Sequence, residues 1–280
     1  MFRIGAHVSI SSGYAKAVDR EVDLGGNCGQ IFAGSPRGWK VSRPEKDEAE
    51  KFRQKSEDRD VKPWIVHGTY LINFATPKSD LAEKSVKAVQ GELDAAAALG
   101  IPYYVFHPGA HTGAGEEQGI QNIAERLSKI DIPDGVKLLL ENTAGKGTTL
   151  GKTFDQLDTM VRSSDYSYSK LGICLDTCHM YAAGYDITEK QKLDDIIDDI
   201  EKVIGLDNIP FLHLNDSKHR ASSEKDEHEH IGEGEIGEKG FELFINHEKL
   251  RDKPMVLETP ENEKGFAWNI EKCKELRRGN

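Results

Sequence analysis

The sequence predicts an α/β protein, a closed (β/α)8 barrel that takes residues 1–280 as one domain, with an open doubly wound sheet as the alternative. Three observations lead there. Short β-branched or aromatic runs recur about every 35 residues, each followed by a longer stretch of helical periodicity, which is the pattern of repeated βα units on a parallel sheet. At 280 residues and 37% hydrophobic content the chain can bury a large core and matches the size of an eight-unit barrel. No Pro/Ser-rich linker or shift in composition divides it.

In chain order the strand candidates are Arg3 to His7, Gly29 to Ala33, Trp64 to His67, Tyr103 to His107, Lys137 to Glu141, Gly172 to Asp176, Phe211 to Leu214 and Met255 to Glu258. Helices lie between them. Leu81 to Leu99 repeats Leu81, Val86, Val89, Leu93 and Ala97 at helical spacing, and Gly100 with Pro102 ends it. Thr188 to Ile204 carries an apolar stripe of Ile196, Ile197, Ile200, Val203 and Ile204, while Asp194, Asp195, Asp198 and Asp199 read as its solvated face. Two connections are unusually long, Gly34 to Glu45 and Asn215 to Glu238, and loops of that length in a compact domain are usually functional or mobile.

Composition narrows the function classes. No apolar run approaches the roughly 18 residues of a membrane span, and Met1 to Ser9 has no apolar signal core, so a cytoplasmic protein is expected. Cys28, Cys174, Cys178 and Cys273 form neither a disulfide framework nor a C-x-x-C pair and read as reduced core or loop thiols. A formal charge of −11 argues at first sight against a polyanion partner. Divalent cations held by some of the 48 acidic residues would change the sign of the local potential, so the question is whether ligands converge.

They do converge in the pattern. Strand after strand ends in a residue able to bind metal: His67, His107, Glu141, Asp176, His213 and Glu258. In a parallel barrel all these ends share the C-terminal rim. A single strand-end histidine is commonly a hydrogen-bonded core residue. A whole series of crowded imidazoles and carboxylates without a cation would incur several kcal/mol each in desolvation and like-charge repulsion, so bound metal explains the series better.

Further candidates lie beyond the strands. His179 sits three residues after Asp176, far enough to reach a second ion, and Asp226 and His228 alternate in the long acidic loop, so an extended segment would point both one way. A solvated charge run is the competing reading of that loop. Imidazole with carboxylate is a borderline donor set suited to two or three zinc-like ions, with Mn²⁺ or Fe²⁺ as substitutes. Four carboxylates against three divalent ions leave a site of about +2, which attracts phosphate despite the acidic chain. Clusters with ions about 3.5 to 4 Å apart suit in-line phosphoryl displacement, so phosphodiester hydrolysis is the leading chemistry.

Other motifs fail on context. Gly232, Gly234 and Gly237 match G-x-G-x-x-G, but no strand immediately precedes them and Glu233 and Glu235 would repel a pyrophosphate. Gly147 to Thr153 ends like a P-loop, yet Lys146 stands where the first glycine belongs, and no H-E-x-x-H is present. Beyond the second and third strands, Arg37, Trp39, Tyr70 and Leu71 offer a cation and large apolar groups that could wedge into a base stack, against the reading of ordinary loop packing.

These motifs together resemble the endonuclease IV family of apurinic/apyrimidinic (AP) endonucleases. The likeness runs from Ile4-Gly5-Ala6-His7-Val8-Ser9 to Glu258-Thr259-Pro260, and its most specific pieces are Leu175-Asp176-Thr177-Cys178-His179, Ala182-Ala183-Gly184-Tyr185-Asp186 and His213-Leu214-Asn215-Asp216-Ser217-Lys218. The resemblance implies a TIM barrel with three Zn²⁺: His67, His107 and bridging Glu141 at the first, Glu141, Asp176, His213 and Glu258 at the second, His179, Asp226 and His228 at the third. It implies hydrolysis of the phosphodiester 5′ to an abasic site in double-stranded DNA, leaving 3′-hydroxyl and 5′-deoxyribose phosphate ends. Glu141 would orient the nucleophile, and Arg37, Tyr70 and Leu71 would enter the DNA. A monomer acting in base excision repair is expected. One departure stands out: the family usually reads Asp-Arg-His where this chain has Glu227 in the middle, a lost phosphate contact for which Lys218, Arg220 and Lys225 could compensate.

Two other functions compete. A metal-dependent sugar isomerase or epimerase of the same barrel class needs fewer ions, and His179, Asp226 and His228 favour the nuclease. A catalytically silent DNA-binding module would not require so costly a cluster.

Overall fold

The computed structural model describes residues 1–41, 43–262 and 264–277. Among the described residues ten strands form: β1 (Ile4–His7), β2 (Cys28–Phe32), β3 (Trp64–His67), β4 (Tyr103–Phe106), β5 (Lys137–Glu141), β6 (Leu171–Asp176), β7 (Phe211–His213), β8 (Asp216–Ser217), β9 (His228–Glu229) and β10 (Met255–Leu257). Eight of them close a barrel in the order β1-β10-β7-β6-β5-β4-β3-β2, every pair parallel. Closure falls between β1 and β10, where Ile4, Gly5 and Ala6 pair with Met255, Val256 and Leu257, so the open sheet is excluded.

The helices are α1 (Tyr14–Asp23), α2 (Lys46–Asp58), α3 (Ser79–Leu99), α4 (Glu116–Leu127), α5 (Phe154–Arg162), α6 (Thr177–Ala183), α7 (Lys190–Val203), α8 (Gly237–Asn246) and α9 (Gly265–Leu276). None of the described helices is long and apolar enough to cross a membrane. Gly100 ends α3 in the left-handed region at φ 72°, as its position predicts. α7 starts two residues later than the pattern suggests, because the Asp186 carboxylate takes both the backbone N–H and the hydroxyl of Thr188 in a turn. Its buried side is Leu193, Ile197 and Ile200; Asp195, Asp198 and Asp199 are exposed, whereas Asp194 is half-buried between Lys190 and His247.

Two apolar layers hold this frame. A large one packs the outer faces of the strands against the helices. A second, inside the barrel, consists of Cys28, Ile65, Val105, Leu139, Cys174, Phe211 and Val256. Side chains alternate along a strand, so the next inward residue lies two positions further on. That register gives Gln30, His67, His107, Glu141, Asp176, His213 and Glu258: a polar ring seated directly on the apolar plug.

The long connection after β7 is not a bare loop. It folds into the antiparallel ribbon β8–β9, where Asp216 pairs with Glu229 and Ser217 with His228. Buried Asp216 organises the turn that follows. Its carboxylate accepts the backbone N–H groups of Gly232 (3.0 Å), Gly234 (2.9 Å), Ile236 (3.0 Å), Gly237 (3.2 Å) and Ser217 (2.7 Å). The glycine-rich motif thus cradles the chain's own carboxylate, not a dinucleotide. A Cβ at Gly234 would lie 2.5 Å from Asp216 Oδ1, so this close approach requires glycine. The substitution Asp216→Ala should lower unfolding stability by about 3 kcal/mol, since several backbone donors lose their acceptor together. Chemical denaturation measures this, and a loss below about 0.5 kcal/mol would count against the cradle as the organiser of the loop.

Candidate metal centre

Each candidate ligand is placed by the element that carries it. Asp176, the last residue of β6, is also the N-cap of α6: its Oδ1 accepts the His179 backbone N–H at 2.9 Å. His179 therefore stands on the first turn of a helix, not in a loop. His107 and Glu258 lie one residue past β4 and β10 and still face the barrel axis. His228 begins β9 and Asp226 lies two residues before it, and both meet His179 and its surroundings as the alternation predicts: Asp226 Oδ1 is 3.0 Å from His179 Nε2 and 3.3 Å from His228 Nε2.

Glu141 is at the centre. It has no exposed surface, and its Oε2 lies 3.4 Å from His67 Nε2 and 3.2 Å from His107 Nε2, while Oε1 lies 3.0 Å from His213 Nδ1 and 3.3 Å from His179 Nδ1. Among the described residues, ligand atoms within 4.8 Å of one another form four sets, three of them His67, His107 and Glu141; Glu141, Asp176, His213 and Glu258; and His179, Asp226 and His228. The nine residues named from the sequence are all brought together. A further set includes Cys178 with Asp176 and His228, but burial pushes the Cys178 thiol up to about 12, so it stays protonated.

The donor chemistry fits divalent cations. Among the described residues, buried Glu141 Oε2 and His228 Nε2 make no hydrogen bond, although His107 Nε2 and Asp226 Oδ1 stand 3.2 and 3.3 Å from them. Second nitrogens are tied back: His67 Nδ1 donates to Gly68 O (2.7 Å), His179 Nδ1 to Asn142 O (2.9 Å) and His228 Nδ1 to Glu258 O (3.0 Å), which leaves Nε2 of each as a lone-pair donor. Burial disfavours the charge on Glu141, yet the imidazoles of His213, His107 and His179 hold its carboxyl well below the usual range. Burial likewise opposes, and His179 with His228 overcomes, so that the Asp226 carboxyl is also strongly lowered. His228, despite its burial, is raised to about 9 by Asp226 and Asp176.

Sequence reasoning misses several supporting residues. Gln30 and His7 touch Glu258, with Gln30 Nε2 donating to its Oε1 at 2.5 Å. Asn142 Oδ1 accepts the Asp176 N–H at 2.6 Å, and Asn215 donates from Nδ2 to Asp176 Oδ2 (2.6 Å) while its Oδ1 accepts the Glu258 N–H (2.7 Å). A signal is present for Gln30, which falls on the same alternating face as the ligands.

The substrate-contact candidates occupy the loops above the rim. Tyr70 is 62% exposed, and its ring centroid is 5.9 Å from His67 and 5.3 Å from Phe32, so an exposed aromatic stands beside the metal centre. Arg37 is exposed and Leu71 half-buried, whereas Trp39 packs against the core and bears out the loop-packing reading. Pro36 joins the two loops, its carbonyl accepting Thr69 Oγ1 (2.7 Å) and Tyr70 N–H (3.2 Å). Lys218, Arg220 and Lys225 line one cleft beside the ribbon, and Glu227 turns to His219 at 3.3 Å.

Behind the Tyr70 loop, buried Glu92 accepts the Thr69 N–H at 3.2 Å and the Tyr104 hydroxyl at 2.8 Å. Desolvation dominates those two bonds and pushes its carboxyl from 4.5 up to about 7. Between those values the folded chain holds a proton that the unfolded chain has lost, so stability falls as pH rises through this window. Glu92→Gln should flatten that part of the stability–pH curve, read from urea midpoints on both sides of the window; an unchanged slope would assign the effect elsewhere.

The class is defined by this barrel with its crown of imidazoles and carboxylates. Residues 18–276 match the family model described as xylose isomerase-like TIM barrel. The chain is 50% identical over 278 residues to the probable endonuclease 4 of Haloarcula marismortui, covering 99% of each, and 50% identical over 274 residues to that of Haloquadratum walsbyi, covering 98% of each. The crystal structure of endonuclease IV from Thermus thermophilus superposes with a TM-score of 0.86 at 36% identity, covering 98% of both chains. A D-tagatose 3-epimerase-like protein shares the fold alone, with a TM-score of 0.72 at 20% identity. The chain belongs to the endonuclease IV family, and the enzyme class expected over a sugar epimerase is borne out.

Proposed function

We propose that this chain is a zinc-dependent AP endonuclease that cleaves the phosphodiester 5′ to an abasic site in double-stranded DNA, leaving 3′-hydroxyl and 5′-deoxyribose phosphate ends. The observation that carries the reading is the convergence of eight imidazole and carboxylate residues around buried Glu141 in a full-length relative of endonuclease 4 proteins. His67, His107 and Glu141 would hold one ion, Glu141, Asp176, His213 and Glu258 a second, and His179, Asp226 and His228 a third. When bound, such ions supply Lewis acidity toward phosphate oxygens.

The chain's own residues do the rest. Glu141 is the proposed catalytic residue: it bridges two ligand sets, and its unpartnered Oε2 orients the attacking water. Exposed Tyr70 and Arg37, with Leu71, enter the duplex and hold the extrahelical abasic nucleotide. Partial desolvation where its ring meets the rim, with the carboxylates of Glu258 and Glu141, pushes the Tyr70 phenol up to about 12, so it meets DNA as a neutral hydrogen-bonding ring. Selectivity follows because a nucleotide without a base is cheaper to flip than a paired one. In this reading the enzyme acts as a monomer in the cytoplasm.

The decisive experiment incubates zinc-loaded protein with a duplex oligonucleotide holding one abasic analogue. Cleavage 5′ to the lesion with a 3′-hydroxyl product is expected, lost slowly on chelation and weakened steeply by salt; intact DNA, or cleavage 3′ to the lesion, overturns the reading. Glu141→Gln should reduce turnover on the order of 10³-fold, the scale of losing transition-state stabilisation, with the circular dichroism spectrum unchanged. Undiminished cleavage by that variant would remove Glu141 from its proposed place.

A further inference from the structure

Three of the cluster's imidazoles have their second nitrogen fixed by a backbone carbonyl, from Gly68, Asn142 and Glu258. His213 is fixed differently. Its Nε2 lies 2.7 Å from the side-chain oxygen of Gln30, a residue with no exposed surface that follows Cys28 on the inward face of β2.

The orientation of that amide is determined by its other end. Gln30 Nε2 lies 2.5 Å from Glu258 Oε1 and 2.8 Å from His7 Nδ1. As a ligand of the metal centre Glu258 is a deprotonated carboxylate, so it accepts and cannot donate. Gln30 must therefore turn its NH₂ toward Glu258, and its carbonyl oxygen is left facing His213. His213 in turn must carry hydrogen on Nε2. Its Nδ1, which lies 3.0 Å from Glu141 Oε1 and 3.7 Å from Glu258 Oε2 where the four-residue set converges, is then the nitrogen that would meet a cation. With the amide reversed, its NH₂ would face His213 Nε2, the ring would carry its hydrogen on Nδ1, and that atom could not be a ligand.

We propose that Gln30 is a positioning residue: one buried amide fixes the tautomer of His213 and the orientation of Glu258, and thereby sets the affinity of the cation those two side chains share. This rests on the metal-centre reading above. Asparagine would be a methylene too short to span both partners. Glutamate would keep an acceptor for His213 but replace the donor to Glu258 with a second negative charge. Methionine has the length and neither function.

The test is competition of the zinc-loaded full-length chain against a chelator of known affinity, following each bound ion, for wild type, Gln30→Met and Gln30→Glu. Both variants should lose roughly 10- to 100-fold in affinity for one ion, the scale of removing an outer partner of a ligand, while the remaining ions are retained as in wild type. The metal-free unfolding midpoint of Gln30→Met should be unchanged, which separates positioning from a packing defect. Equal retention of every ion by Gln30→Met overturns the inference alone, as does uniform weakening of all ions with a lowered metal-free midpoint. A wild-type chain that takes up no zinc overturns the metal-centre reading, and this inference with it.

Discussion

A carboxylate with no exposed surface, Glu141, is the constraint around which the rim is built. Taking such a charge out of water costs several kcal/mol even after relaxation, and the cost is offset only by close partners of opposite sign with good geometry. Four imidazoles approach its two oxygens within 3.4 Å. His67 and His213 in turn have their other nitrogens satisfied by the carbonyl after β3 and the amide of Gln30, while His179 turns the same Nδ1 to the carbonyl of Asn142 after β5. The demand propagates outward from one residue until it reaches the backbone of the barrel.

The barrel meets that demand through its register. Inside, the chain alternates with a period of two, so the apolar residues that fill the barrel automatically set the positions of the polar residues above them. Ile65 precedes His67, Val105 precedes His107, Leu139 precedes Glu141 and Phe211 precedes His213 by the same two steps. This is why most of the site is legible in sequence: strands are short, their ends are marked by turn residues, and a ligand-competent residue at each end stands out. Gln30 is less visible because it lies inside β2, two residues before its end, and an amide carries no charge to draw notice. The ribbon β8–β9 and the cradle around Asp216 are illegible for another reason. Two-residue strands leave no periodicity, and the fold of that segment depends on a carboxylate meeting backbone N–H groups sixteen to twenty-one positions away.

The acidic composition and a DNA substrate are reconciled by where the charges lie. Asp195, Asp198 and Asp199 are exposed on α7, an outer helix of the barrel, whereas several rim carboxylates are buried and neutralised by their neighbours. Around the rim the exposed cations Arg37, Lys218, Arg220 and Lys225 sit on the loops after β2 and β7. Net charge is therefore a poor guide to the working face, because solvent screens exposed charges across more than a Debye length of about 8 Å. Glu227, the acidic residue between Asp226 and His228, is turned toward His219, which limits its repulsion of an approaching phosphate.

Rigidity is distributed in the same way. Asp176 uses one oxygen to cap α6 and the other to accept from Asn215, whose own amide oxygen takes the Glu258 N–H. One asparagine thus ties a ligand at the end of β6 to a ligand just past β10, across the top of β7. His179 is locked to the same carboxylate through its backbone, so the ligands of the proposed second and third ions move together. The loops that carry Arg37 and Tyr70 are braced differently, through the Pro36 carbonyl and the buried carboxyl of Glu92. Their braces lie at the loop bases, and Tyr70 itself remains in solvent. In the proposed reading, a chemistry that tolerates little displacement is built on strand ends, and a recognition step that would follow the shape of a distorted duplex is built on side chains free to adjust above them.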